Sequence, residues 1–163
     1  MAEGSLITDE LRKLIGATVG EPITLKVEEG AIQRYAEAIG DSNPLYNDVE
    51  YARKSKYGRL ICPPGFVGWP VKGQIGALPG RTSEMAVTFV KAGAPTNVLD
   101  GGIEFEFFTT VGAGDILVSI TKVANITERE TRMGKTMFIT TETSFVNQDG
   151  KVALKSRATS INY

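Results

Sequence analysis

Hydrophobic residues in the first third of the chain recur at helical spacing. Within residues 28–39 they fall at i, i+3, i+4 and i+7, which predicts a helix with one buried face. The members of this face are Ile32, Tyr35, Ala36 and Ile39. Gly40 follows at the position where a left-handed residue commonly ends a helix. A shorter pattern predicts a helix over residues 8–15, and Asn47 with Glu50 resembles a capping box that opens another short helix.

The last third of the chain carries the patterns of β-strands. Residues 103–107 alternate between apolar and acidic side chains, as a strand with one buried face does. Residues 116–126, 136–146 and 152–161 are rich in Val, Ile, Thr and Phe, which favour strands. The Asn-Gln-Asp-Gly sequence at residues 147–150 predicts a hairpin turn. Helices first and antiparallel strands afterwards indicate an α+β fold, in which a long helix packs against a curved antiparallel sheet.

The stretch between these two parts, residues 60–96, is rich in Pro and Gly and has no clear periodicity. We therefore expect a long irregular segment there. Segments of this kind often carry function.

Composition narrows the possible chemistry. The chain has 163 residues, a formal net charge of −1 and no histidine, so we expect one domain over residues 1–163 and no binding to nucleic acid. Cys62 is the only cysteine, which excludes an internal disulfide and a Cys/His zinc site, and no metal or other cofactor is expected. No stretch approaches the roughly 18 apolar residues of a membrane-spanning helix. A reducing cytoplasm is the expected compartment.

A turn rich in polar residues directly follows the helix predicted over residues 28–39. It contains Gly40-Asp41, then Asn43-Pro44, and then Tyr46. Helix and turn together resemble the motif of the MaoC-like enoyl-CoA hydratases and 3-hydroxyacyl dehydratases, in which a histidine stands where this chain has the tyrosine. The resemblance implies a hot-dog fold and a coenzyme A or acyl-carrier-protein thioester as substrate.

Further residues extend the resemblance over most of the chain. Residues 60–66 are similar to the stretch that supplies the oxyanion-hole amide in that family, with Gly65 in the place of the donor. The Leu-Asp-Gly-Gly sequence at 99–102 and the Gly-Asp at 114–115 resemble the N-terminal, histidine-lacking, FAS1-type dehydratase branch. The site residues implied by the resemblance are the catalytic Asp41 and Tyr46 and the substrate-binding Asn43, Gly65 and Phe66.

The missing histidine matters because of the chemistry this family performs. Adding water across a thioester-conjugated double bond needs a base, a proton donor and amides that hold the enolate oxygen. Tyr46 is a poor base, since a phenol with a pKa of about 10 stays protonated at neutral pH, although it can donate a hydrogen bond. Each residue also has a structural interpretation: Asp41 and Asn43 as turn formers, Tyr46 as a packing residue and Gly65 as a turn glycine.

The incomplete acid–imidazole pair favours one function over three alternatives. The favoured function is that of a subunit of a heteromeric hydratase or dehydratase, which pairs with a histidine-bearing hot-dog partner. A homodimer is the other assembly considered. The alternatives are a dehydratase that acts alone through Asp41 and Tyr46, a thioesterase that uses Glu37 or Asp41, and an acyl-CoA binding domain without catalysis. Six Lys and Arg residues in and around the irregular segment are candidates to bind the phosphates of the thioester carrier or to form a solvated surface. They are Lys54, Lys56, Arg59, Lys72, Arg81 and Lys91.

Overall fold

The computed structural model describes residues 4–68 and 84–163. The helices are α1 (Asp9–Leu14), α2 (Glu29–Ala38), α3 (Pro44–Asn47), α4 (Val49–Lys54) and α5 (Glu84–Lys91), with a 3-10 turn at Phe66–Gly68. The strands are β1 (Ile23–Lys26), β2 (Val98–Phe107), β3 (Ile116–Thr131), β4 (Gly134–Val146) and β5 (Val152–Asn162). The predicted α+β arrangement, with helices early in the chain and most strands late, is confirmed.

All five strands form one antiparallel sheet in the order β1-β3-β4-β5-β2. The predicted hairpin joins β4 to β5, where the Asn147 amide donates to the Lys151 carbonyl at 2.8 Å. Register shifts interrupt the ladders between Asp100 and Ile103 in β2 and after Val123 in β3. Such bulges increase the local twist, and the sheet is curled. The strand order leaves β1 and β2 at its two edges.

The longest predicted helix, α2, packs its apolar face onto the sheet. Ile32 and Ala36 are fully buried. Ile32 belongs to a cluster that also contains side chains from β3, β4 and β5. Those sheet residues are Leu117, Phe145 and Leu154. Ile39 departs from the prediction, because it is the C-cap residue of α2 and its side chain is 51% exposed. The buried face therefore spans the helix itself and stops before its cap.

A second apolar cluster lies where β3 and β4 approach the turn that joins them, and α1 and α5 pack on it. Leu11 of α1 and Phe89 of α5 are buried in it, and the Thr8 hydroxyl links the two helices by donating to the Ala92 carbonyl at 2.6 Å. Helix α5 lies within residues 60–96, where an irregular segment was expected. For the eight residues of α5 that prediction is wrong.

The cap of α4 also differs from the prediction. The carboxylate of Asp48, and not the side chain of Asn47, accepts the Tyr51 amide at 2.9 Å. Glu50 pairs with Arg53 on the surface. The side chain of Asn47 points to the preceding turn, so the residue that looked like a helix cap stabilises the candidate site.

Candidate functional site

The turn that carries the candidate acid is set by the end of α2. Gly40 adopts φ +69°, and its amide donates to the Glu37 carbonyl at 3.1 Å while the Asp41 amide donates to the Ala36 carbonyl at 2.9 Å. These two bonds are those of a Schellman motif. Asp41 therefore leaves the helix in a defined direction.

Side-chain hydrogen bonds then hold the turn together. The Asp41 carboxylate accepts the Asn43 amide at 3.0 Å, and the Asn43 side chain accepts the Leu45 amide at 3.0 Å as the cap of α3. The Asn47 side chain donates to the carbonyls of Asp41 and Asn43 at 2.9 and 3.1 Å. Gln33 of α2 in turn donates to the Asn47 carbonyl at 3.0 Å. Asp41 and Asn43 therefore act as turn formers, as the sequence predicted. One oxygen of the Asp41 carboxylate is held by the Asn43 amide, which orients the carboxylate.

Tyr46 lies close enough to this turn for its ionisation to depend on it. Burial raises the pKa of the Tyr46 phenol above its ordinary value, and the negative charge of Asp41 raises it further, while the Asn43 side chain acts in the opposite direction. The phenol therefore stays protonated at neutral pH. It can donate a hydrogen bond but cannot serve as the base.

Gly65 and Phe66 lie at the start of the 3-10 turn. Gly65 adopts φ +87°, and a Cβ at this position would come within 2.7 Å of the Tyr35 hydroxyl. Phe66 is buried and packs edge-to-face on Tyr35 with ring centroids 5.8 Å apart. Both residues thus fix the position of the turn against α2, whichever role they have toward a substrate.

A pocket of about 400 Å³ opens beside these elements. Its first wall is formed by Tyr46, Cys62, Pro63, Pro64 and Val67, and its second wall by residues 107–111. None of these ten side chains is charged, which suits an acyl group better than a phosphate. Tyr46 is the predicted site residue that reaches the pocket wall; Asp41, Asn43, Gly65 and Phe66 lie in the elements around it.

Cys62 has the most nucleophilic side chain in the pocket lining, but its environment makes the thiol unreactive. Burial raises the pKa of the thiol to about 12, with a further contribution from the negative charge of Asp115 and an opposing one from Arg59. The thiolate is the reactive form of cysteine. At neutral pH this side chain therefore acts as a small apolar wall residue.

Sequence patterns missed the second wall and the ion pair beneath it. Phe107 and Phe108 are adjacent in sequence, so along one strand their side chains would point to opposite faces. In a sheet with one buried face this predicts that one of them is exposed. Arg59 was a candidate for phosphate binding, but both of its terminal nitrogens are bonded to Asp115. Lys72 and Arg81, two further candidates, lie outside the described residues.

Residues 4–68 and 84–163 contain no helix that is long and apolar enough to cross a membrane. Nor do they contain three or more Cys, Asp or Glu side chains grouped so as to hold a metal ion.

Comparison with protein families and with relatives of known sequence gives consistent matches. A family model described as the FAS1-like dehydratase domain region matches residues 13–156. A probable enoyl-CoA hydratase alpha subunit of Thermomonospora curvata is 30% identical over 156 residues, covering 90% of this chain and 49% of that protein. The chain thus spans about half the length of that relative. A UPF0336 protein of Parafrankia sp. is 28% identical over 148 residues, covering 89% of this chain and 93% of that protein.

Solved structures with the same architecture include complexes. The ChsH1–ChsH2 complex of Mycobacterium tuberculosis superposes with a TM-score of 0.77 at 17% identity, covering 96% of this chain and 90% of that chain. The HadBC (3R-hydroxyacyl-ACP dehydratase) complex of the same organism gives a TM-score of 0.71 at 21% identity, with coverages of 96% and 99%. A MaoC-like dehydratase of Rhodospirillum rubrum gives 0.63 at 25% identity, with coverages of 94% and 95%. The predicted hot-dog fold is confirmed.

Proposed function

The chain belongs to the FAS1-like dehydratase family, within the MaoC-like hydratases and dehydratases of hot-dog fold, and on that basis we propose that it is the histidine-lacking subunit of a two-subunit acyl-thioester hydratase or dehydratase. In this assembly it supplies the fold, part of the acyl pocket and a contact surface. A histidine-bearing hot-dog partner supplies the base.

One observation carries this proposal: the site has an oriented carboxylate and a protonated phenol, but no imidazole to act with them on water. The chain contains no histidine, and burial and Asp41 raise the pKa of Tyr46. Cys62, the pocket's thiol, has its pKa raised to about 12. On this proposal, a neutral imidazole from a second chain takes the proton from water. The name of the T. curvata relative, an alpha subunit, and the two heteromeric neighbours are consistent with this assignment.

The proposed substrate is an acyl thioester of coenzyme A or of an acyl-carrier protein. The uncharged pocket suits the acyl portion, because burying a charged group there without a partner would be unfavourable. The charged carrier would then lie outside the pocket. We place this reaction in the cytoplasm, the compartment in which a single unpaired cysteine stays reduced.

The edge strand β2 offers a surface for the second subunit. Leu99, Ile103 and Phe107 of β2 and the adjoining Phe108 are each between 46% and 51% exposed. A group of exposed apolar side chains at an open sheet edge is normally covered by another element or chain. Phe107 and Phe108 also line the pocket. A partner docked on β2 would therefore stand beside the pocket, within reach of a substrate bound there.

The thioesterase alternative loses one of its two candidates. Glu37 is exposed on α2, whereas Asp41 is half-buried and accepts the Asn43 amide. Asp41 remains as a carboxylate for that reaction, and also for a dehydratase that acts alone. Both alternatives require this chain to turn over substrate without a second subunit.

Partner dependence is the first expected result. The purified chain should hydrate crotonyl-CoA no faster than buffer, while the complex obtained by co-expression with a histidine-bearing hot-dog protein from its genomic neighbourhood should be active. The measurement is the loss of enoyl absorbance by each preparation. Ile103→Asp, which places a charge on the β2 surface, should lose both co-purification and activity. Turnover by the purified chain would refute the proposal, and release of free thiol would favour the thioesterase.

Asp41→Asn tests whether the acid of this chain takes part. The amide retains an oxygen that can accept the Asn43 amide, so we expect the thermal midpoint to change little. The kcat of the assembled complex should stay within about twofold of wild type, whereas loss of a working general acid or base lowers the rate by roughly 10²–10⁴. Substitution of the partner's histidine by asparagine is the matched control and should abolish turnover. A loss of that size from Asp41→Asn would instead assign catalysis to this chain.

A further inference from the structure

The two walls of the pocket meet in a short antiparallel ladder. The Cys62 amide donates to the Val111 carbonyl at 2.8 Å, and the Ala113 amide donates to the Leu60 carbonyl at 2.9 Å. Between these bonds the backbones approach closely at Gly112, where a Cβ would stand 2.6 Å from the Leu60 carbonyl oxygen. Two bonds make a marginal ladder on their own. Its neighbours Leu60 and Val111 are buried in the core on one side, and a charged contact is added at its end.

A partly buried ion pair lies at the end of this ladder, with the Arg59 side chain 37% and the Asp115 side chain 8% exposed. Arg59 donates from Nη1 and Nη2 to the two carboxylate oxygens of Asp115, at 2.7 and 2.8 Å. This forked geometry is the strongest form of Arg–carboxylate pairing. Arg59 also donates to the Ala113 carbonyl at 3.0 Å, so one guanidinium joins both strands of the ladder.

Asp115 collects donors from two further directions. Its Oδ2 accepts the Gly112 amide at 3.0 Å, and its Oδ1 accepts the side chain of Gln148 at 3.3 Å. Gln148 belongs to the β4–β5 hairpin and also accepts the Ile116 amide at 3.1 Å. Burial alone would raise the pKa of Asp115, but the hydrogen bonds from Arg59 and Gly112 outweigh it and hold the pKa below its ordinary value. The carboxylate therefore stays charged in the folded protein.

From this geometry we propose that Arg59 and Asp115 are positioning residues that clamp the two walls of the pocket at a fixed separation. Arg59 lies three residues before Cys62 on the first wall, and Asp115 lies four residues after Val111 on the second. The pair is joined across 56 residues of sequence. Its loss frees the end of the ladder, and the walls then separate while the sheet stays folded. The clamp acts on the shape of the pocket, whatever the pocket binds.

Amide hydrogen exchange of the intact chain measures this opening residue by residue. In Asp115→Asn, protection of the Cys62 and Ala113 amides should fall at least about tenfold, the loss expected when charged hydrogen bonds are weakened. Amides paired between β3 and β4, such as Ile126 and Ile139, should keep the protection set by global unfolding. Arg59→Lys, which keeps the charge and loses the fork, should give a smaller fall at the same two amides.

Glu142→Gln is the matched control. Glu142 also accepts from two cations, Lys155 at 3.1 Å and Arg157 at 3.0 Å, but on the sheet and away from the pocket. The Glu142→Gln variant should leave the exchange protection of the Cys62 and Ala113 amides unchanged. An equal fall at all amides in Asp115→Asn, or no fall at the ladder, would overturn the clamp. Crotonyl-CoA binding is measured on the complex with the histidine-bearing partner: a local fall in a chain whose complex binds no thioester would uphold the clamp and count against the proposed function.

Discussion

Arg59→Met should destabilise the protein by about 3 kcal/mol at neutral pH. Removing one partner of a buried pair leaves an uncompensated charge and costs roughly 3–5 kcal/mol. We expect the lower end, because the Arg59 side chain is 37% exposed while that of Asp115 is 8% exposed. The free energy of unfolding from urea titrations gives the measurement. The same change at Arg53, whose pair with Glu50 is 63% and 71% exposed, should alter that free energy by less than about 1 kcal/mol.

The pH dependence of this loss has a definite sign. In the wild type the pKa of Asp115 is lowered on folding, so its contribution to stability is fully present above the unfolded value of about 3.9 and is lost as pH falls through the lower folded value. Without the guanidinium, the Gly112 amide and the Gln148 side chain still oppose the effect of burial, but the pKa of Asp115 should be lowered less than in the wild type. The difference in the free energy of unfolding between wild type and Arg59→Met should therefore be largest at neutral pH and decrease as the solution is acidified.

A double variant separates the buried charge from lost packing. Arg59→Met with Asp115→Asn leaves no charge in the site, so it should recover part of the stability that Arg59→Met loses. A double variant that is less stable than the single one at neutral pH would show that packing, and not the unpaired carboxylate, causes the effect.

The elements with strong periodicity were predictable, and those defined by distant contacts were not. Helix α2 and strands β3 to β5 carry their burial pattern in their own sequence, so local spacing was sufficient. Helix α5 exposes Val87 and Val90 as well as burying Phe89, and this mixture weakens the helical pattern. It also follows a Pro- and Gly-rich stretch, which favoured an irregular interpretation.

The candidate site also has one part that was predictable from local sequence and one part that was not. The turn from Gly40 to Tyr46 is built from bonds between residues that are close in sequence, and its Asx turn and helix cap follow from residue type. The second wall of the pocket and the pairing of Arg59 with Asp115 depend on tertiary contacts. In sequence Arg59 is one of several cations and Asp115 is an ordinary Gly-Asp turn residue. Only the fold shows that each has the other as its partner.

Tyr46→His should give the isolated chain a hydratase activity that the wild type lacks. An imidazole has an ordinary pKa of about 6.5. Burial would lower the pKa of a histidine at this position, and the negative charge of Asp41 would raise it, so the two effects oppose each other. In the wild type, both effects raise the pKa of the Tyr46 phenol. A large neutral fraction at pH 7 to 8 can then take a proton from water. General-base catalysis contributes roughly 10²–10⁴ in rate, so crotonyl-CoA hydration should rise at least about 10²-fold over the wild-type chain.

Two variants decide whether the gain arises in this site. Tyr51→His makes the same chemical change at a residue that is 52% exposed and is not part of the pocket lining, and it should give no activity. Adding Asp41→Asn to Tyr46→His should remove most of the gain, because the imidazole then lacks the carboxylate that acts with it. A folded Tyr46→His chain that binds crotonyl-CoA without hydrating it would show that the site lacks more than a base. The wild-type pair of acid and phenol would then be a remnant of the turn's architecture, and the partner would have to contribute the oxyanion donors as well as the histidine.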